Sequence, residues 1–156
     1  MKRLLIIRHA KAVEHDQEGD FYRELASRGL KDAEHLANHL SKKNRIPDHV
    51  ITSPAVRTTM TAEIITRELS LPKAEPVDAI YEASEPTLLN VVNSLDNRYD
   101  YVALVGHNPG VSYLIYYLTG EILDVPTSAA TLIKFEIDDW KEVSGGTGTI
   151  KWHYTP

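Results

Sequence analysis

The chain has 156 residues, 42% hydrophobic and 25% charged, with 17 Lys+Arg against 22 Asp+Glu for a formal charge of -5. This length supplies one hydrophobic core and not two, and the balance excludes a disordered, collagenous or coiled-coil chain. The acidic total argues against non-specific nucleic-acid or membrane-surface binding, and the absence of cysteine excludes disulfide frameworks, thiolate metal sites and cysteine nucleophiles.

Leu4 to Ile7 is a branched apolar run ended by Arg8. It is too short for a signal-peptide core or a membrane span, so the chain reads as untargeted and cytoplasmic, one domain over residues 1–156. The same run predicts a strand buried on both faces. A long polar loop follows over 10–26. Ser27 is placed to cap a helix carrying Leu30, Ala33, Leu36, Ala37 and Leu40 at helical spacing. His49 to Thr52 predicts a second strand. Pro54 suits the first turn of a helix that runs through Val56, Met60, Ile64 and Leu69 to about Ser70. Pro72 and Pro76 bracket a short third strand, Thr87 to Leu95 is helical, and Tyr101 to Val105 is a second buried strand ended by Gly106. Gly110 to Leu118 predicts a helix packed through Tyr113, Tyr116 and Tyr117. Thr131 to Ile137 and Thr149 to Tyr154 alternate around Ser144 to Gly148, a hairpin pattern. The order predicts an α/β three-layer sandwich: a mostly parallel central sheet, helices on both faces and a C-terminal β-hairpin.

Ligands of open parallel sheets bind beyond the carboxyl ends of the strands. Those ends deliver Arg8-His9, Ser53 with Arg57 one turn on, Tyr81-Glu82 and His107-Asn108. Basic groups gathered on one rim of an acidic protein fit an anionic ligand, and guanidinium forks suit phosphate oxygens. A neutral imidazole is a competent nucleophile near neutral pH. Arg8, Arg57 and a charged His107 would then hold the charge that builds on phosphoryl oxygens in place of metal ions. No cofactor or metal is implied. His35 and His39 lie four apart without an evident third ligand and read as a solvated helix face. His15 with Glu14, Asp16, Glu18 and Asp20 reads as a mobile acidic loop that screens substrates by charge. Lys11 reads equally as a rim charge or a surface residue.

Three segments carry a resemblance: Ile6-Ile7-Arg8-His9-Ala10-Lys11; Ser53-Pro54-Ala55-Val56-Arg57 through Glu63; and Val105-Gly106-His107-Asn108-Pro109-Gly110. They resemble the histidine phosphatase superfamily, of phosphoglycerate-mutase-like fold. The Arg8-His9-Ala10-Lys11 wording, the short chain, Asp20-Phe21 with Arg23, Leu25 and Arg28-Gly29, and Thr127-Ser128-Ala129 are similar to the SixA-type phosphohistidine phosphatase branch. The resemblance implies His9 as nucleophile, Arg8, Arg57 and His107 as phosphate-binding residues, and Glu82 where many members place a proton donor, with Glu85 a neighbouring competitor.

Two classes of function follow. One is a metal-independent phosphatase working through phosphohistidine on His9, its partner a phosphohistidine-carrying protein or a small phosphoester. The other is a catalytically silent phosphate-binding module, against which the retention of Arg8 and His9 speaks. A mutase is disfavoured because 156 residues leave little room for segments that hold a diphosphorylated substrate. Neither nucleic acid nor membrane is an expected partner, and oligomeric state is not legible.

Overall fold

The computed structural model describes residues 1–156. β1 (Lys2–Arg8), β2 (His49–Thr52), β3 (Glu75–Pro76), β4 (Tyr101–Gly106), β5 (Ala130–Phe135) and β6 (Gly148–Tyr154) form one sheet in the order β3-β2-β4-β1-β5-β6. The β1–β4, β2–β4 and β2–β3 pairings are parallel, and β5 and β6 close the sheet antiparallel, so it is mixed. The helices are α1 (Ser27–Lys42), α2 (Val56–Glu68), α3 (Glu85–Asn93) and α4 (Gly110–Thr119).

Because side chains alternate along a strand, β1 feeds two cores. Leu4 and Ile6 join Leu88, Val92, Val111, Leu114 and Leu118 of α3 and α4, whereas Leu5 and Ile7 join Leu36, Leu40, Ala62 and Ile65 of α1 and α2. The three-layer arrangement therefore follows from the uninterrupted apolar run in β1 and its counterpart in β4. No helix is long and apolar enough to cross a membrane.

Several local expectations shift. Ser27 is already helical; Ala26 is the N-cap, with no side-chain bond, and its N–H donates to Lys11 O. Pro54 lies outside α2, which begins after Ala55. α3 starts two residues earlier than its apolar pattern because Ser84 Oγ accepts Thr87 N–H and Pro86 occupies the first turn. β5 ends at Phe135 rather than Ile137. The connection to β6 is a packed segment rather than a simple turn. Trp140 is wholly buried and donates to Tyr99 O, while Asn93 Nδ2 donates to Trp140 O and Val143 O. Tyr113, Tyr116 and Tyr117 do not pack inward: they are 60%, 53% and 38% exposed. His39 stacks on Trp152 and tilts against Tyr154, an aromatic contact rather than a ligand position. Lys11 and His15 are exposed.

The loop after β1 folds back on α1 through Gly29, where a Cβ would lie 2.1 Å from Lys11 O. Backbone, not a movable side chain, fills that space. Gly29→Ala is therefore expected to lower stability by about 1–3 kcal/mol, read as an earlier midpoint in denaturant unfolding.

Candidate active site

Arg8 ends β1, and His9 follows with its backbone N–H donating to Gly106 O at 3.1 Å. Ala10 N–H donates to Thr61 Oγ1 at 3.0 Å, and Thr61 Oγ1 donates to Arg57 O at 2.8 Å. These two bonds clamp the strand end to α2, which carries Arg57. His107 follows β4, and its ring lies 5.3 Å from that of His9, centroid to centroid. Arg8, His9, Arg57 and His107 are thus brought to one edge of the sheet.

Each ring has a defined orientation. His9 Nδ1 lies 2.8 Å from Ala10 O. A carbonyl only accepts, so Nδ1 carries the proton and the lone pair is on Nε2. His107 Nε2 lies 2.8 Å from Ser53 Oγ, which already accepts Ala55 N–H. With Ser53 donating its hydroxyl proton to Nε2, the His107 proton resides on Nδ1. That nitrogen is buried without a partner, as are Arg8 Nε, Arg57 Nε and Ser128 Oγ. Ser128, with φ 66°, donates its N–H to both Arg8 O and His9 O. Unpartnered buried donors are costly, and Arg8 Nε, Arg57 Nε and His107 Nδ1 have no acceptor within the protein, which leaves them available to an oxyanion.

The interior favours neutral imidazoles. Burial first, then Arg57 and Arg8, push His9 down to about 4, against the partial opposition of Ala10 O. Burial, Arg57 and the His9 ring push His107 down to about 3. The expectation of a charged His107 therefore does not hold in the free site. Burial also lowers the Arg8 guanidinium. Arg8 Nη1 donates to Val125 O at 3.1 Å, and Asn108 Nδ2 shares that carbonyl.

Sequence reasoning missed the role of Asp20. It is not part of a free acidic loop. Its Oδ2 accepts Arg57 Nη2 at 3.1 Å and Tyr81 OH at 2.8 Å, its Oδ1 accepts Arg23 Nη1 at 2.9 Å, and its carbonyl accepts Arg57 Nη1 at 2.8 Å. The Arg23 bond, with help from Tyr81 and Arg57, holds the carboxyl down at about 2. Burial and the same carboxylate push Tyr81 up to about 12. Phe21 and Tyr81 meet edge-on, and Tyr81 meets His107 likewise, forming an aromatic wall. The only signal available beforehand was the Asp20-Phe21…Arg23 pattern itself. Glu82 is exposed, with backbone φ 53°, a strained value for a non-glycine residue. Glu82 and Glu85 both line the cavity that holds Arg57 and His107.

Two outcomes follow. Above the ordinary histidine range both site rings are neutral whether the chain is folded or unfolded. Below it, down to about 4 for His9 and 3 for His107, the unfolded chain binds protons that the folded site refuses. Stability is therefore fully present above about pH 6.5 and falls as pH drops through that window. Imidazole NMR titration and unfolding at stepped pH check both statements. Asp20→Asn keeps an acceptor for Arg57 but removes a negative charge from beside the anion position. It is expected to tighten competitive inhibition by inorganic phosphate about fivefold, near 1 kcal/mol, measured as the inhibition constant.

Comparison with known proteins identifies the family and the fold. A family model described as histidine phosphatase superfamily (branch 1) matches residues 4–88. The solved protein histidine phosphatase SixA complexed with tungstate is 26% identical, with a TM-score of 0.84 over 97% of this chain and 95% of that one. A protein of Agrobacterium tumefaciens assigned as a phosphohistidine phosphatase SixA is 25% identical, with a TM-score of 0.86 over 99% and 98%. An uncharacterized chloroplastic protein of Arabidopsis thaliana is 24% identical over 162 residues, 97% of this chain and 74% of that protein. The family match spans more than half of the chain, and the fold matches SixA over nearly all of it, so the chain belongs to the histidine phosphatase superfamily, branch 1, and is a phosphatase of SixA-like build.

Proposed function

We propose that this phosphatase removes the phosphoryl group from phosphohistidine in a protein, by way of a phosphoryl group carried on His9. The observation that carries this reading is the pinned His9 ring. Its Nδ1–H is held by Ala10 O, which leaves the Nε2 lone pair free, and the His107 ring lies 5.3 Å away. The solved SixA is complexed with tungstate, an oxyanion, which supports an anion site on this fold.

In the first step His9 Nε2 attacks phosphorus. The bond from phosphorus to the substrate nitrogen breaks, and its electron pair leaves with the substrate ring. Arg8, Arg57 and the Nδ1–H of His107 hold the charge that builds on the phosphoryl oxygens. In the second step water attacks phosphorus, the bond to Nε2 breaks and phosphate departs. A substrate imidazole already protonated on its other nitrogen leaves as a neutral ring and needs no dedicated acid. An alkoxide needs a proton from Glu82 or Glu85, worth about 10² to 10⁴ in rate where such a proton is required. A phosphohistidine substrate therefore does not depend on Glu82 or Glu85, whereas an alkyl phosphoester does.

The test is a hydrolysis panel of a phosphohistidine protein, phosphoramidate, an alkyl phosphate and a phosphotyrosine peptide, with and without chelator. The phosphohistidine protein is expected to turn over best and chelator to leave the rate unchanged, since arginines supply the charge. His9→Ala is expected to abolish turnover, and the wild type to yield an acid-labile, alkali-stable phosphoryl adduct. Undiminished turnover by His9→Ala overturns the mechanism. Binding of phosphate without any turnover identifies a silent module.

A further inference from the structure

A cavity of about 760 Å³ opens beside the anion site, with Arg57 and His107 at its inner end. That is far more space than a phosphoryl group fills. Its outer wall is made by Tyr113, Tyr116 and Tyr117, which lie three and four apart on one face of α4. The other face of that helix, Val111, Leu114, Ile115 and Leu118, is fully in the core. α4 is therefore anchored, and what it turns outward is three phenols where a solvated helix ordinarily carries charge. Tyr117 is also held in place: a Cβ at Gly145 would lie 2.9 Å from its ring, and Tyr117 O accepts Gly146 N–H at 3.0 Å. Rigid tyrosines beside a reactive centre are economical contact surfaces, because little side-chain freedom is lost on binding. Apart from Arg57, the charged side chains that line the cavity are Glu82 and Glu85, both carboxylates.

We propose that this groove seats the protein segment flanking the phosphohistidine and selects a lysine or arginine side chain there. The inference rests on the reading of a phosphohistidine protein as substrate. A flanking cation meets the faces of the tyrosine rings and the two carboxylates together, whereas a flanking carboxylate meets like charge, the Arg57 guanidinium at the inner end being engaged already by Asp20 and the phosphoryl group. The groove is continuous with the anion site, so one segment reaches both. The selection is a matter of binding the flanking residue, and it sets which phosphohistidines are presented to His9.

The probes are two phosphohistidine peptides of equal length, one with lysines and one with glutamates on either side, and phosphoramidate, whose leaving group is too small to reach the groove. With wild-type enzyme the lysine peptide is expected to exceed the glutamate peptide in kcat/KM by about five- to thirtyfold, mostly through KM. The double variant Tyr113→Ala with Tyr116→Ala, at exposed positions, is expected to reduce that ratio to below about twofold with phosphoramidate hydrolysis unchanged. Glu85→Lys is expected to lower the ratio or invert it. Equal rates on the two peptides by wild type, or an undiminished ratio in the double variant, overturn the inference and leave the phosphatase reading standing. Hydrolysis of phosphoramidate with neither peptide turned over overturns the protein-substrate reading and this inference with it.

Discussion

The parallel pairing of β1 with β4 sets Arg8 level with Gly106, so the residues that follow, His9 and His107, emerge side by side at the middle of the sheet. Strand pairing has a period of two, and a slip of one residue turns every side chain to the other face. Here the alternation of Leu4 and Ile6 against Leu5 and Ile7 between two separate cores makes such a slip prohibitive. The spacing of the two imidazoles is thus fixed by apolar packing far from any polar contact. Everything else at the site is an adjustment around that pair: Ser53 selects one tautomer of His107, Ala10 O selects one of His9, and the Thr61 bridge brings α2 and Arg57 up to them.

The electrostatic character of the site is less obvious than its composition. Two arginines and two histidines do not make four positive charges. Burial and the arginines themselves keep both imidazoles neutral, so in the proposed mechanism His9 attacks without a base to deprotonate it. Asp20 in turn satisfies Arg57 when no phosphoryl group is bound. The guanidinium is thereby fixed by two bonds to one residue, with its Nε left without a protein acceptor.

Much of this was legible in the chain. The apolar runs of β1 and β4 bounded by Arg8 and Gly106, and the helical spacing of Leu36 and Leu40, dictated a layered sheet because only such a fold buries both faces. The basic residues at the strand ends could be gathered because a parallel sheet places those ends together. Asp20 was not legible as an arginine partner. It sits among Glu14, Asp16 and Glu18, and although the Asp20-Phe21…Arg23 pattern sets it apart, nothing in that pattern points to Arg57, thirty-seven residues away. The three tyrosines of α4 were misplaced because apolarity and burial are not the same property: a phenol satisfies the helical pattern equally well facing a core or a groove. Ser27 was misread as a cap because the chain enters α1 through a backbone bond from Ala26 to Lys11, which no side-chain preference announces.

The carbonyl of Val125 holds both Arg8 and Asn108, and the loop that presents it is fastened in turn by β6, where His153 Nε2 bonds Asp124 O and Nδ1 bonds Thr131 Oγ1. The region matched by the family model stops at residue 88. A chain that ended after α4 would still possess Arg8, His9, Arg57 and His107 and would lack the acceptor that steers Arg8. The closing hairpin is then more than the finish of the sheet: it is the strut that keeps the first strand's arginine trained on its neighbour, and the two ends of the polypeptide are mechanically one part.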